Sequence, residues 1–236
     1  MIQAMDWDAR VLGLAAGQLL PENDFLVDSD ELDAYDLVHV RVPQVQLEQV
    51  QELECLGFRY IGLDVELERT QTGRLNSSTD AVEWRIQHVQ HSDTDFEIQG
   101  FTIEGSRFML DARCKERLVA NFWDSVVREH CKSFADTVIC AIDGHNRLCG
   151  FISCIHQPDH IQMFLVAVHP YVQNRRLGGL LVQEAVSMAD QLKVRLRTNV
   201  MASNTLGFNF YLKQNFKVNG AEIIMHRWRE EMSHDP

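Results

Sequence analysis

The stretch from Val166 to Gly179 reads VAVHPYVQNRRLGG. Its apolar start is typical of a strand, a proline turn follows, and two glycines open a segment with helical spacing. The first turn of a helix leaves backbone N–H groups unpaired at the positive end of the dipole, and glycine lets a ligand come close. The stretch therefore predicts a strand, a phosphate-binding loop and a helix start. Read alone, it fits equally well a plain loop before an amphipathic helix.

The composition indicates a globular protein and argues against some classes of binding partner. The chain has 236 residues, of which 45% are hydrophobic and 24% charged, and its net charge is −12. That length allows one large or two modest domains, and the acidic charge argues against a nucleic-acid partner. No apolar run reaches the length of a membrane span, and the first residues lack a signal-peptide pattern. We therefore expect a cytoplasmic protein with no membrane partner.

The cysteine pattern argues against a metal site. The six cysteines show no C-x-x-C spacing and no secretory context, so we expect free, buried thiols and no metal. They are Cys55, Cys114, Cys131, Cys140, Cys149 and Cys154.

Residues 1–75 read as a small N-terminal α/β unit. Strand-like alternation over Leu37–Val42, helical spacing over Gln44–Leu56 and a second strand over Tyr60–Leu67 predict a β-α-β arrangement. The acidic segment 22–36 reads as solvated, and Thr70–Asp80 is polar and aperiodic, as in a linker.

Residues 82–230 read as a second, larger domain in which strands and helices mix, so an α+β fold with a mixed central sheet is predicted. The predicted elements are a strand Val82–Val89, a helical region Asp93–Ser106, a helix Arg113–Lys132, hairpin strands Thr137–Asp143 and Leu148–His156, a strand Ile161–Val168, a helix Leu177–Leu192, a strand Val194–Val200, a short helix Asn204–Gln214 and a strand Glu222–Arg227.

The two units share one internal echo. Leu53–Arg59 (LECLGFR) and Tyr211–Lys217 (YLKQNFK) each end a short helix just before a predicted strand. Such helix ends are common enough to arise by chance, yet the echo also suits a truncated copy of one fold in the N-terminal unit.

Three features of residues 82–228 resemble the GNAT acyl-CoA N-acyltransferases. The segment Gln173–Gly178 approximates the signature Q/R-x-x-G-x-G/A, with Arg176 in place of the first glycine. Asn204 and Tyr211 follow, and a spacing of seven places both on one helix face. The resemblance implies the GNAT fold and acetyl-CoA as co-substrate.

The resemblance also implies roles for individual residues. Val166, Ala167 and Val168 would hold the pantetheine arm, Gln173, Asn174, Arg175, Arg176, Leu177, Gly178 and Gly179 would cradle the pyrophosphate, and Asn204 would contact the cofactor. Tyr211 would be the catalytic acid, because a phenol with a pKa near 10 can protonate a departing thiolate with a pKa near 8.5.

The general base is left open. Protein N-terminal acetyltransferases of this fold often carry a glutamate five residues before the asparagine, and here that position is Asn199. Water, His160 or Asp111 are the alternatives.

A closer resemblance includes the N-terminal unit. Trp7-Asp8, Leu12-Gly13, Leu53–Glu68, Ser106-Arg107-Phe108 and Asn204–Tyr211 together resemble the dTDP-fucosamine N-acetyltransferases. That family acetylates the amine of a nucleotide-linked deoxysugar, so Ser106, Arg107 and Phe108 would lie near the acceptor. Arg113, Lys115 and Arg117 fit either a nucleotide diphosphate or plain solvent.

We therefore expect an acetyl-CoA-dependent N-acetyltransferase that acts on a small-molecule primary amine, with a nucleotide-linked amino sugar as one candidate and a homodimer as a possible assembly. The alternatives are a protein or peptide N-acetyltransferase, and a catalytically silent acyl-CoA-binding module. The silent module is suggested by Arg176 and by the missing carboxylate at Asn199.

Overall fold

The computed structural model describes residues 1–20, 29–69, 83–92 and 94–229. Within these residues, ten strands form one mixed sheet with helices on both faces, so the predicted α+β class is confirmed. The strands are β1 Ile2–Ala4, β2 Ala16–Leu19, β3 Leu37–Pro43, β4 Arg59–Arg69, β5 Arg85–Val89, β6 Thr137–Ile142, β7 Leu148–His156, β8 His160–Val168, β9 Arg195–Met201 and β10 Lys217–Trp228. The helices are α1 Asp6–Leu12, α2 Ser29–Asp33, α3 Leu47–Cys55, α4 Arg107–Leu110, α5 Ala112–Arg117, α6 Phe122–Glu129, α7 Leu177–Leu192 and α8 Thr205–Lys213.

The strand order is β1-β2-β3-β10-β4-β9-β8-β7-β6-β5. The pairs β2–β3 and β8–β9 are parallel, and the other neighbouring pairs are antiparallel. The predicted N-terminal β-α-β unit is present as β3, α3 and β4. The acidic residues 22–28 and the expected linker Thr70–Asp80 lie outside the described residues.

Two β-α-β units interdigitate at the centre of the sheet, an arrangement that we call the strand exchange. Strand β4 pairs with β9 on one side and with β10 on the other, while β10 pairs with β4 and β3. The unit β3-α3-β4 thus has a strand of the unit β9-α8-β10 between its own two strands, and the reverse is also true. Both helices have nine residues. The sequence echo marks the equivalent helix-to-strand junction of each unit.

Three apolar clusters stabilise the sheet. On one face, α7 and Tyr211 of α8 pack on Leu196 and Val200 of β9. On the opposite face, α1 and α4 to α6 pack on β6 and β7 through Phe108, Phe122 and other aromatic side chains. The third cluster joins β3, α3 and β10 around Phe58. Burial of these side chains is the main favourable contribution to stability.

The helix prediction for Asp93–Ser106 is wrong. Asp93 lies outside the described residues, and residues 94–106 are an irregular connection that forms one isolated bridge, between Glu97 and Arg147. The buried Asp124 accepts hydrogen bonds from the backbone N–H groups of Gly100 (3.0 Å) and Phe101 (2.9 Å). A tertiary partner therefore satisfies backbone groups that a helix would have paired internally.

The single helix predicted over Arg113–Lys132 is also wrong. The chain leaves α5 after Arg117 and starts α6 at Phe122, after Asn121 in a left-handed conformation with φ of 61°. A π-helical turn, His130–Phe134, follows α6. Asparagine tolerates positive φ better than most residues, so it accommodates this break.

A buried polar cluster around Asp111 ties α4 and α5 to β10. Asp111 accepts hydrogen bonds from Nδ1 of His226 (2.7 Å), Nε1 of Trp228 (2.9 Å) and the backbone of Arg113 (3.0 Å). Burial acts to raise the pKa of Asp111, but the bonds from His226 and Trp228 outweigh it and lower the pKa to about 2. Asp111 is therefore a permanent carboxylate that anchors the last strand.

All six cysteines lie in the described part of the chain and are free thiols. Five are buried as expected, whereas Cys55 is exposed at the end of α3, which corrects that prediction. Among the described residues, no helix is both long and apolar enough to cross a membrane.

The strand exchange predicts that residues 83–236 do not fold alone. Without β4, the facing edges of β9 and β10 would lose their hydrogen-bonding partner, and exposed edges of this kind promote aggregation. We expect this fragment to lack a cooperative unfolding transition by circular dichroism. Co-expression with residues 1–75 should restore the transition, because both units are then present. Cooperative unfolding of the fragment alone would contradict the exchange.

Candidate active site

The sheet opens between β8 and β9. Their parallel pairing covers His160–Met163 of β8 and Arg195–Thr198 of β9, and ends at the Met163–Thr198 pair, which we call the vertex. A register irregularity in the β7–β8 pairing follows Met163. Beyond it, β8 keeps β7 as a neighbour, but residues 164–168 pair with no described strand on the β9 side. The backbone of Val166, Ala167 and Val168 therefore borders a wedge-shaped opening.

The wide end of this opening meets the start of α7. A 3₁₀ turn, Pro170–Val172, leads into a loop in which Asn174 (φ 63°) and Arg176 (φ 64°) are left-handed. Helix α7 begins at Leu177, and the side chain of Arg176, its N-cap residue, makes no capping hydrogen bond. The N–H groups of the first turn, which contains Gly178 and Gly179, are therefore available to an anion.

Three elements converge on Gly178. A Cβ added there would lie 3.4 Å from a ring atom of Phe210 in α8 and 3.6 Å from Cγ2 of Val168 in β8. A Cβ on Gly179 would lie 3.7 Å from the side-chain nitrogen of Gln214. The structure thus brings the predicted phosphate loop, the end of β8 and α8 together.

Two polar side chains of the loop, those of Gln173 and Arg175, already have partners in the protein. Gln173 donates from Nε2 to the carbonyl oxygen of Val168 (3.1 Å), which fixes the end of β8. Arg175 forms an ion pair with Glu83 and lies over the ring of Trp84 at 5.6 Å. The backbone of the α7 N-terminus, rather than Arg175, is the stronger candidate for phosphate contact in this arrangement.

The two α8 residues identified from the sequence have different environments. Asn204 is exposed and caps α8, where its Oδ1 accepts a hydrogen bond from the backbone of Gly207 (3.0 Å). Tyr211 is buried, and Thr198 is close enough to its hydroxyl to lower the pKa of the phenol in part. Thr198 in turn donates to the carbonyl oxygen of Met163 (3.1 Å). The Tyr211 hydroxyl therefore lies at the vertex, seven residues from an Asn204 that faces solvent.

Burial raises the pKa of Tyr211 to about 12, although the hydrogen bond with Thr198 lowers it in part. The phenol therefore keeps its proton throughout the neutral and mildly alkaline range. A protonated hydroxyl at the vertex can act as a hydrogen-bond donor or as an acid.

The predicted acceptor segment is divided between the surface and the core. Ser106 caps α4 by accepting a hydrogen bond from the backbone of Met109 (3.4 Å). A Cβ added at the neighbouring Gly105 would lie 3.3 Å from Cβ of Asn204. Arg107 forms a nearly buried ion pair with Asp8 of α1. Phe108 is buried against the rings of Trp7 and Phe122. In this arrangement the side chains of Arg107 and Phe108 join α1 to α4, and Ser106 lies next to Gly105, the residue that is close to Asn204.

The two side chains considered as bases are both engaged elsewhere. His160 is the first residue of β8 and bonds through Nδ1 to Asp159 (2.8 Å). Asp111 lies in the buried cluster and has a pKa of about 2, so it is a weak proton acceptor.

Asp111 also belongs to a group of possible metal ligands. Ligand atoms of Asp111, Cys114 and His226 lie within 4.8 Å of one another. Burial raises the pKa of Cys114 to about 12, so the thiol is protonated, and Asp111 already accepts three hydrogen bonds. These contacts make a hydrogen-bonded anchor, and the absence of a metal stays a prediction.

Sequence reasoning missed one polar group near the vertex. Asp64 in β4 accepts hydrogen bonds from Nδ2 of Asn199 (3.2 Å) and from Arg41 (2.6 Å). The sequence signal was the alternation Asp64, Glu66, Glu68 within an otherwise apolar strand. The pattern shows which residues share a face, but not that this strand lies beside β9.

Comparison of the chain with known protein families and solved structures agrees with this geometry. Residues 102–216, a little under half of the chain, match the model of the acetyltransferase (GNAT) family. The matched region contains β8, the loop, α7, β9 and α8. The chain has the GNAT fold.

Solved GNAT structures superpose on most of the chain. A glucosamine N-acetyltransferase region of a fungal multi-domain GH3 β-N-acetylglucosaminidase has a TM-score of 0.61 and 14% identity, and the match covers 96% of this chain and 30% of that one. A tandem GNAT protein from the clavulanic acid biosynthesis pathway has a TM-score of 0.59 and 10% identity, covering 93% and 79%. A GCN5-related N-acetyltransferase from Sphaerobacter thermophilus has a TM-score of 0.50 and 14% identity, covering 81% and 59%. These identities show the fold alone, and the chain spans less than two thirds of the first and third of these relatives. No curated protein matches by sequence.

Arg176 replaces a glycine of the GNAT signature, and its backbone is strained as a result. Arg176 occupies the position of the first signature glycine, and its φ of 64° lies in the region that glycine adopts freely. A residue with a Cβ is strained there by about 1–2 kcal/mol.

We therefore expect Arg176→Gly to raise the free energy of unfolding by about 0.5–1 kcal/mol, since relief of the strain exceeds the added freedom of the unfolded chain. Urea denaturation measures the change. Arg175→Gly is the matched control: Arg175 has no positive φ, so glycine there should lower stability. Equal losses in both variants would contradict the strain at Arg176.

The space beside Gly178 gives a second prediction. Gly178→Ala should fit, because the added Cβ meets only ordinary contacts, whereas Gly178→Leu should fill the space between Val168 and Phe210. We expect the leucine variant to raise the dissociation constant of acetyl-CoA at least tenfold in calorimetric titrations with the melting temperature nearly unchanged. Gly144→Leu, in open space at the β6–β7 turn, is the control. Unchanged binding by the Gly178→Leu variant would contradict the location of the loop site.

Proposed function

We propose that this protein is an acetyl-CoA-dependent N-acetyltransferase that acts on a small-molecule primary amine. The observation that carries the proposal is the opening between β8 and β9, with the uncapped start of α7 at its wide end and the Tyr211 hydroxyl at its vertex. The family match supports an acyltransferase that uses acetyl-CoA as co-substrate.

The residues present fit a thioester that carries a pyrophosphate. The first-turn N–H groups of α7 bind the pyrophosphate, and glycine at 178 and 179 leaves room for it. The unpaired edge of Val166–Val168 binds the pantetheine arm as a neighbouring strand would. Acetyl-CoA itself supplies an activated acetyl group and a good leaving thiolate.

Tyr211 has the role of proton donor in this proposal. The amine nitrogen bonds to the acetyl carbon as the C–S bond breaks, and the thiolate takes the proton of Tyr211. The surplus proton of the amine returns to Tyr211 through water. The raised pKa of Tyr211 keeps the donor protonated until charge develops on sulfur.

The acceptor is, in this proposal, an amino sugar linked to a nucleotide. The resemblance of several short motifs to the dTDP-fucosamine N-acetyltransferases supports it, and so does one structural neighbour described as a glucosamine N-acetyltransferase region. Helix α1 packs against α4 through Asp8 and Arg107, and in this proposal the N-terminal unit covers the groove that an extended peptide would need. We also propose that the enzyme works in the cytoplasm.

The catalytically silent module is the rival function. Its support is the full burial of Tyr211, together with the strained Arg176 and the amide at position 199. Turnover separates the two, because a silent module binds acetyl-CoA and acetylates nothing.

We expect the wild-type protein to release free CoA thiol when a panel of nucleotide-linked and free amino sugars is supplied with acetyl-CoA. Tyr211→Phe should lower kcat about 100-fold with the dissociation constant of acetyl-CoA unchanged, because it removes only the proton donor. Since the pKa of Tyr211 is raised to about 12, ionisation of this group should not lower the wild-type rate between pH 8 and pH 10.

Tyr35→Phe is the control, since Tyr35 packs in the cluster of β3 and α3 away from the vertex. Binding of acetyl-CoA without acetylation of any amine in the panel would favour the silent module. Acetylation of peptides but not of sugars would overturn the proposed acceptor.

A further inference from the structure

Asn199 lies directly beside the vertex, on the sheet face opposite Tyr211. It follows Thr198, the last β9 residue that pairs with β8. Side chains alternate along a strand, so Thr198 faces Tyr211 and α8 while Asn199 points to the other face. Asn199 is exposed, whereas Thr198 is buried. An amine that approaches the vertex from the face without α7 and α8 therefore meets Asn199.

The carboxamide of Asn199 is held at both ends. Its Nδ2 donates to Oδ2 of Asp64 in β4 (3.2 Å), and its Oδ1 accepts from Nε2 of Gln162 in β8 (3.0 Å). A carboxylate only accepts hydrogen bonds, so Asp64 determines which end of the amide faces it. The oxygen of Asn199 must then lie on the β8 side, towards the opening.

Asp64 is itself fixed in place. Its side chain is almost fully buried, and Oδ2 also accepts from Arg41 of β3 (2.6 Å). The same Arg41 nitrogen contacts Glu222 of β10 at 3.2 Å. The network of bonds that holds Asn199 therefore runs from β8 across β9 and β4 to β3, with Glu222 as a separate partner of Arg41, and Asp64 belongs to the strand that the N-terminal unit inserts.

We propose that Asn199 is a positioning residue for the acceptor amine and that Asp64 acts through it by fixing the orientation of its carboxamide. The oxygen of Asn199 has a second lone pair beyond the one that binds Gln162. With that lone pair it accepts a hydrogen bond from an N–H group of the amine. The nitrogen lone pair is then directed at the acetyl carbon. The inference rests on the proposed acetyltransferase function and deepens it.

The network gives a reason for the amide at position 199. A glutamate or aspartate there would face Asp64 at hydrogen-bonding distance, and like charges so close are unfavourable unless one is protonated. An amide satisfies Asp64 with its nitrogen and still presents an oxygen to the amine. The glutamate expected at this position in protein N-terminal acetyltransferases of the fold is thus replaced by an amide that is bonded to the carboxylate of Asp64.

The test is steady-state kinetics with an amine that the wild-type enzyme acetylates, combined with calorimetric titration of acetyl-CoA. We expect Asn199→Ala to raise the KM of the amine about tenfold, the loss expected for one hydrogen bond, with a smaller change in kcat. Asp64→Asn removes the constraint on the amide, and we expect it to raise KM about fivefold. The dissociation constant of acetyl-CoA should not change in either variant.

The double variant distinguishes a positioning role from two separate effects. If Asp64 acts only through Asn199, Asp64→Asn combined with Asn199→Ala should have the KM of Asn199→Ala alone. Glu222→Gln is the matched control, because Glu222 contacts the same Arg41 but not Asn199, and its KM should equal that of the wild type.

Each contrary result has a clear meaning. Additive losses in the double variant, or an equal rise in KM for Glu222→Gln and Asp64→Asn, would overturn the role of Asp64. An unchanged KM in Asn199→Ala, in an enzyme that turns over, would overturn the inference and leave the proposed function standing. Absence of wild-type turnover with every amine tested would overturn both.

Discussion

The backbone ladder on both sides of β4 is the constraint on which the rest of the molecule depends. This strand pairs with β9 over Asp64–Arg69 and with β10 along most of its length. Without it, the strands that carry the opening and those that carry the N-terminal unit would not share a sheet. Because a strand is fixed in register by its hydrogen bonds, β4 also determines which side chains stand beside β9. Asp64 reaches Asn199 for that reason.

The sequence correctly predicted those elements whose buried residues follow a regular spacing within the element itself. Helix α7 has the predicted bounds, because one apolar stripe runs unbroken from Leu177 to Leu192 and a left-handed residue lies at each end. The helix predictions for Asp93–Ser106 and Arg113–Lys132 were wrong for a different reason. There a distant carboxylate, Asp124, and a left-handed Asn121 decide the conformation, and neither effect appears in hydrophobic spacing.

The candidate site was predictable to a similar degree. A motif indicates which residues line a loop and which share a helix face, so Gly178 and Tyr211 could be selected before any coordinates. Partners across the sheet could not: Asp64 and Asn199 are 135 positions apart in the chain. The same limit explains Arg107 and Phe108, whose partners in α1 lie about a hundred positions away and draw their side chains into the core.

The strand exchange also has a consequence for synthesis. As the chain leaves the ribosome, β3, α3 and β4 emerge well before the strands that complete their pairing. Asp64 pairs with Met201 and Arg59 pairs with His226, and both partners are synthesised much later. Both edges of β4 stay unpaired during that interval, and contacts of such long range form slowly. The charged residues that alternate along β4 therefore protect the nascent chain as well as the folded protein, because charge on an unpaired strand opposes its association with other chains.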